Sequence, residues 1–162
     1  GGFTFFLPAL LEAKGVAGLA VYETYLVMTA AEVPGLLLAA AIVDWAGRRA
    51  VLAGELLCSA GALLSFRAAD GHARLVASSA LTYFFMVGAW ATLYLVTPEA
   101  FPTAARATAS GATRLCACVG TMAAAPASAA LLGWGVDAPL LAQAAALGAC
   151  ALAAACLPRE VA

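Results

Sequence analysis

Five apolar runs, each about long enough for a helix to cross a bilayer, constrain this chain more than any other feature. They are Val21–Val43, Ala50–Phe66, Arg74–Thr97, Ala107–Leu132 and Ala138–Leu157. A helix rises about 1.5 Å per residue, so about 17–25 residues cover the hydrocarbon. Lipid offers the backbone no hydrogen-bond partner, so a spanning segment must be a helix or part of a closed barrel. Barrel strands would alternate apolar and polar residues over about 10 positions. Leu36–Val43 and Met122–Leu132 show no such alternation. The expected fold class is therefore an all-α integral membrane bundle. Composition agrees: 65% of residues are hydrophobic and 10% are charged, against roughly 25% charged in soluble domains.

A further run, Gly2–Ala13, is too short to span. It reads as the tail of a helix whose start precedes Gly1, which would make residues 1–162 a fragment with a truncated first helix. No basic stretch followed by a short apolar segment and cleavage site marks a signal peptide. With six successive passages the connections fall into two sets on opposite sides. One set holds Asp44–Arg49, Pro98–Arg106 and the tail Pro158-Arg159-Glu160; the other holds Lys14-Gly15, Arg67–Arg74 and Gly133–Pro139. The first carries Arg48, Arg49, Arg106 and Arg159, and the second Lys14, Arg67 and Arg74. The positive-inside rule places the richer set in the cytoplasm. Ala and Gly are abundant in the runs, which suits close helix–helix approach in lipid. Pro34-Gly35 is expected to loosen or kink the second run.

Several function classes drop out at this point. A net charge of −1 gives no electrostatic basis for binding nucleic acid. The five cysteines (Cys58, Cys116, Cys118, Cys150, Cys156) all lie in apolar runs and read as small buried hydrophobes. No CxxC or Cys/His spacing suggests a metal site, and no cofactor is expected. His72 is the sole histidine and falls in a loop, while Ser110-Gly111 falls in a run, so no nucleophile–base pair supports an intramembrane enzyme.

In a chain so poor in charge, clustered charges mark function. Asp44-Trp45-Ala46-Gly47-Arg48-Arg49 joins two runs. Gly47 permits the φ > 0 turn that a tight connection needs. Asp44 ends one helix near the N-terminus of the next, where a negative charge is favoured. Thr97-Pro98-Glu99-Ala100-Phe101-Pro102-Thr103-Ala104-Ala105-Arg106 closes the run Arg74–Thr97 and opens the run Ala107–Leu132, its prolines stopping and restarting helices. Glu99 and Arg106 add opposite charges on the same face, available to Arg48 and Arg49. Glu55, two turns into its run, is expected to pair with an arginine of this loop.

These residues together resemble the C-terminal six-helix half of a major facilitator superfamily transporter. The DxxGRR turn and the Pro-Glu-x-Phe-Pro-Thr-x-x-Arg loop resemble paired cytoplasmic motifs of that superfamily. The synaptic-vesicle-related and organic-ion (sugar-porter-like) branch is the most similar. Its patterns appear in order as Glu32-Val33-Pro34-Gly35, Tyr94-Leu95-Val96-Thr97-Pro98-Glu99, Val119-Gly120 with Pro126, and Leu157-Pro158-Arg159-Glu160. The resemblance implies two six-helix bundles around a midplane site that opens alternately to each side, with the N-terminal half absent from this chain. It also implies a cytoplasmic gate network of Asp44, Gly47, Arg48, Arg49, Glu99 and Arg106. Two positions depart from the branch, which often carries basic residues where this chain has Tyr83 and Cys118. Arg114, four residues before Cys118 on the same helical face, is a candidate substitute.

The candidate substrate and coupling-ion path holds Glu32, Tyr25, Tyr83, Trp90, Tyr94 and Arg114. Glu32 lies halfway along its run, where an ionisable group costs at least about 2.5–3.5 kcal/mol and marks a functional site by default. It would bind a cationic group or relay a proton. Arg114 would pair with Glu32 or a substrate carboxylate, or else extend to the cytoplasmic edge. The aromatic residues offer stacking surfaces with polar tips, and Trp90 and Tyr94 share a face at i, i+4. The expected function is secondary active transport of a small organic solute (an organic ion, or a vitamin-like or sugar-like molecule) by alternating access, with proton coupling through Glu32 as an option. The alternative is a non-transporting membrane receptor or vesicle scaffold. Expected partners are the solute, the lipid bilayer and the missing N-terminal half. The expected location is a plasma or intracellular vesicle membrane, crossed several times.

Overall fold

The computed structural model describes residues 2–15, 18–69, 71–99, 101–133, 135 and 137–156. They form α1 (Gly2–Ala13), α2 (Leu19–Ala46), α3 (Arg48–Arg67), α4 (His72–Glu99), α5 (Arg106–Leu132) and α6 (Ala138–Ala155), with no strand among the described residues. Five of these helices, α2 to α6, are long and apolar enough to cross a membrane. Each coincides with a run predicted from sequence, apart from a few residues at the ends.

The helix boundaries correct some local expectations. A single residue, Gly47, separates α2 from α3, and its φ of 83° lies in the left-handed region open to glycine. No side chain caps α3 by a hydrogen bond, and Asp44 lies in the last turn of α2. Helix α4 runs through Pro98 to Glu99, because a proline so near a C-terminus forfeits only one intrahelical bond. Pro102 lies in the connection, and α5 opens at Arg106. The tail motif Leu157-Pro158-Arg159-Glu160 lies outside the described residues.

Helix α4 is the centre of the bundle, packed on α2 and α3, and α3 packs in turn on α6. Small side chains make this possible: Ser78, Ser79, Thr82, Ala89 and Thr92 are all buried along α4. At Gly35 of α2 the approach is closer still. A Cβ added there would lie 2.5 Å from the Phe84 carbonyl oxygen and 3.2 Å from its Cα. Pro34-Gly35 therefore serves a backbone contact between α2 and α4, and α2 continues through it uninterrupted. The main apolar cluster gathers Leu7, Leu11, Met28, Phe66, Leu75 and Leu140 from α1, α2, α3, α4 and α6. A smaller one joins Leu52, Ala89 and Ala154.

The described parts of the two predicted sets of connections meet at opposite ends. At one end the Lys14 ammonium donates to the carbonyls of Phe66, Arg67 and Ala69 at 3.2, 2.9 and 2.9 Å. There too Arg67 pairs with Asp137 at 3.0 Å, and His72 lies 3.7 Å from Glu23. At the other end Arg48 pairs with Glu99. Helix α5 stands apart from this packing: among the described residues, none of its most apolar stretch is buried.

Candidate functional site

The charged turn between α2 and α3 places Arg48 at the start of α3 and opposite the end of α4. Its Nη1 lies 2.8 Å from Glu99 Oε2, and both side chains are about one-third exposed. Arg48 Nε is buried without a hydrogen-bond partner among the described residues. The guanidinium thus holds one donor in reserve. Asp44 and Arg106 are exposed and Arg49 half-buried, and no ion pair joins them to the Arg48–Glu99 contact among the described residues. Of the six predicted gate residues, the geometry brings two into contact, with Gly47 supplying the turn.

A second cluster forms between α4 and α5. The Trp90 and Tyr94 rings, one helical turn apart, lie 5.6 Å centroid to centroid at 34°. Arg114 of α5 carries its guanidinium 5.3 Å from the Tyr94 ring centroid, a cation over an aromatic face. Three of the six predicted path residues are therefore one group. Tyr25 and Tyr83 pack elsewhere, against the apolar cluster near the Lys14 end. Glu32 sits in the middle of the 28-residue α2, half-buried, with no hydrogen bond or ion pair among the described residues. A shallow apolar groove lined by Phe101, Ala105, Thr108, Ala109, Thr113 and Cys116 runs along a different face of α5 from Arg114.

Glu55 departs from expectation. Its Oε2 accepts a hydrogen bond from Thr92 Oγ1 at 3.0 Å, and no arginine contacts it among the described residues. The reason is register. Arg48 and Glu55 stand at i and i+7 on α3, as do Thr92 and Glu99 on the antiparallel α4. Pairing Arg48 with Glu99 sets Glu55 against Thr92, a relation the sequence contains but periodicity alone does not reveal.

Relatives place this arrangement in a family. The chain is 40% identical over 112 residues to the putative niacin/nicotinamide transporter NiaP of Bacillus subtilis, covering 69% of this chain and 28% of that protein. It is 38% identical over 111 residues to the niacin transporter NiaP of Acinetobacter baylyi, covering 68% and 25%. It is 39% identical over 149 residues to solute carrier family 22 member 7 of Sus scrofa, covering 90% and 26%. The chain belongs to the major facilitator superfamily. As a superfamily member with five membrane-length helices, it is a multi-pass integral membrane protein. It spans about a quarter of the length of the curated relatives it matches. No family model and no solved structure matches it.

Proposed function

We propose that this chain is the C-terminal six-helix half of a secondary transporter that carries a small organic anion across the membrane by alternating access. The observation that carries this reading is the Arg114–Tyr94–Trp90 group, a guanidinium and two aromatic rings beside the uncovered face of α5. Arg114 offers a fork of donors that matches a carboxylate. Trp90 and Tyr94 offer faces on which a planar ring can stack. A heteroaromatic carboxylate satisfies both, and niacin, named in two of the relatives, is such a molecule. Arg114 would then supply the cation that the branch often carries at the position of Cys118.

The remaining residues take supporting roles in this reading. Glu32 faces the same aqueous path at mid-depth, where it binds a cationic group or relays a proton along the path. Tyr25 and Tyr83 back the path from the packed side. Arg48 and Glu99, with Asp44, Gly47, Arg49 and Arg106 around them, form the cytoplasmic gate. A pair about one-third exposed contributes on the order of 0–1 kcal/mol. Such a pair biases two conformations without locking either. The rocking of this half against an N-terminal half about a midplane site follows the general scheme of such transporters.

Uptake into proteoliposomes by the full-length protein tests the proposal, with labelled nicotinate, nicotinamide, an organic cation and a sugar compared. Saturable uptake of nicotinate is expected, with half-saturation raised about 10–100-fold in Arg114→Gln, the loss of one charge-assisted contact. Arg114→Lys should recover part of it. Equal uptake of nicotinate by wild type and Arg114→Gln would remove Arg114 from the path. Binding without uptake of any solute by folded protein would instead identify a receptor or scaffold.

A further inference from the structure

Two buried hydroxyls among the described residues depart from the pattern set by the others: Ser59 donates across to the Thr82 carbonyl at 3.4 Å, and Thr92 donates to a carboxylate. Most hydroxyls in these helices donate to the carbonyl four residues back on their own helix: Thr24 to Ala20, Thr82 to Ser78, Thr97 to Leu93, Thr113 to Ala109 and Thr121 to Ala117. This is how a lone hydroxyl is satisfied in lipid. Thr92, equally buried at 2% exposure, does otherwise. Its proton goes across to Glu55 Oε2 at 3.0 Å, leaving its own i−4 carbonyl, that of Gly88, without it.

Gly88 explains how a carboxylate fits there. A Cβ on Gly88 would collide with Glu55 Oε1, lie 3.0 Å from Glu55 Cδ, and meet Ala39 Cβ of α2 at 3.5 Å. The carboxylate therefore occupies a notch made by an absent side chain, where α2, α3 and α4 converge. Glu55 is seven residues beyond Arg48, about 10 Å along α3 from the membrane-face end. At that depth an uncompensated charge is costly.

The charged and titratable neighbours are few. On α3 they are Arg48, Arg49 and Cys58; Arg48 is engaged by Glu99. On α4 they are Tyr83 and Tyr94 either side of Thr92, then Glu99. On α2 they are Glu32 and Asp44 either side of Ala39, and on α6 only Cys150 and Cys156 in its described part. None forms an ion pair with Glu55 among the described residues. A metal cation would need several more oxygen ligands than one carboxylate and one hydroxyl, and the described residues hold no group of three metal-ligating side chains. The ligand that one carboxyl can take is a proton.

We propose that Glu55 is a proton-binding site at the α2–α3–α4 junction, loaded and emptied as the protein works. With the proton absent, Thr92 donates to the carboxylate, as in this structure. When a proton binds, the Glu55 O–H donates to Thr92 Oγ1, and the Thr92 proton turns to the Gly88 carbonyl. One proton enters and none is lost, and both hydroxyl donors remain satisfied. Neutral Glu55 also ceases to attract Arg48, two turns away on the same face, so the Arg48–Glu99 contact responds to the load. The site rests on the transport reading for its purpose, while its protonation can be measured without any transport.

Infrared difference spectra of the full-length protein in liposomes, taken between mildly acidic and mildly alkaline pH, test it directly. A protonated-carboxyl C=O band that appears on acidification is expected. It should vanish in Glu55→Gln, persist in Glu32→Gln, and move to higher wavenumber in Thr92→Val, where the carboxyl loses its partner. Should Glu55→Gln fail to fold, Thr92→Val and Glu55→Asp still move the band. In wild-type uptake assays an inward proton gradient stimulates transport, and Glu55→Gln loses that stimulation while retaining solute exchange. A titrating spectrum identical in wild type, Glu55→Gln and Thr92→Val overturns the proposal, whatever the uptake result. A wild type that carries no solute but shows the Glu55 band overturns the transport reading instead.

Discussion

Lys14 spends its ammonium on three backbone carbonyls at the C-terminal end of α3, where a helix leaves acceptors unpaired and the dipole end is negative. The same ammonium lies over the Phe66 ring, 5.6 Å from its centroid. Lys14→Met keeps the stem and removes the donors, so the tie between α1 and α3 is lost. A half-buried charged donor to neutral carbonyls should be worth about 1–2 kcal/mol. Thermal denaturation of the full-length protein in detergent should show Lys14→Met less stable than wild type and Lys14→Arg closer to it. Identical melting of Lys14→Met and wild type would mean the three bonds are offset by desolvation. At the residue scale such contacts are the least legible from sequence. Lys14 reads there as one more loop cation, because carbonyl partners fifty residues away leave no side-chain signature. Charge alone assigns Glu55 an arginine, whereas helix register gives it Thr92. Arg48 with Glu99 was legible because each stands in a motif at the same membrane face.

Helices, by contrast, were readable almost to the residue, since lipid leaves a spanning backbone no other regular choice. What sequence misjudged at this scale was the purpose of Pro34-Gly35. The pair reads as a weak point in α2, yet Gly35 is where the α2 backbone meets that of α4. The obstacle to a side chain there is the Phe84 main chain, which cannot rotate away. Gly35→Ala should force the helices apart and cost about 1–3 kcal/mol. Gly61→Ala is the matched control, because nothing lies within 4 Å of a Cβ at Gly61 on α3. It should be neutral or gain up to about 1 kcal/mol from helix propensity. Denaturant unfolding of both variants decides the matter, and equal stabilities would show that α2 and α4 are not held by this contact.

For the molecule as a whole, α5 poses the main question. It is long enough to span, yet none of the described residues of its apolar stretch is buried, and it carries Arg114 about two turns from its start. Lipid can cover the alanines of α5 but cannot satisfy a guanidinium, for which only water, substrate or more protein will serve. The match covers about a quarter of the length of these relatives, so proteins of that length hold further polypeptide that can face α5 across an aqueous path. Two exposed cysteines distinguish such a face from a lipid-facing one. Cys118 stands at i+4 from Arg114 on α5, and Cys150 lies exposed on α6, whose other side packs on α3. A charged, membrane-impermeant thiosulfonate should modify Cys118 in the reconstituted full-length protein and leave Cys150 untouched. Nicotinate should slow the reaction at Cys118, because a carboxylate on Arg114 would occupy the same stretch of helix. Water-soluble reagent reaching neither cysteine would put α5 against lipid or buried protein and remove Arg114 from any aqueous path. Equal labelling of both would show that exposure in the bundle does not mark the path. Labelling of Cys118 alone, slowed by substrate, would tie the uncovered helix, its arginine and the solute into one site.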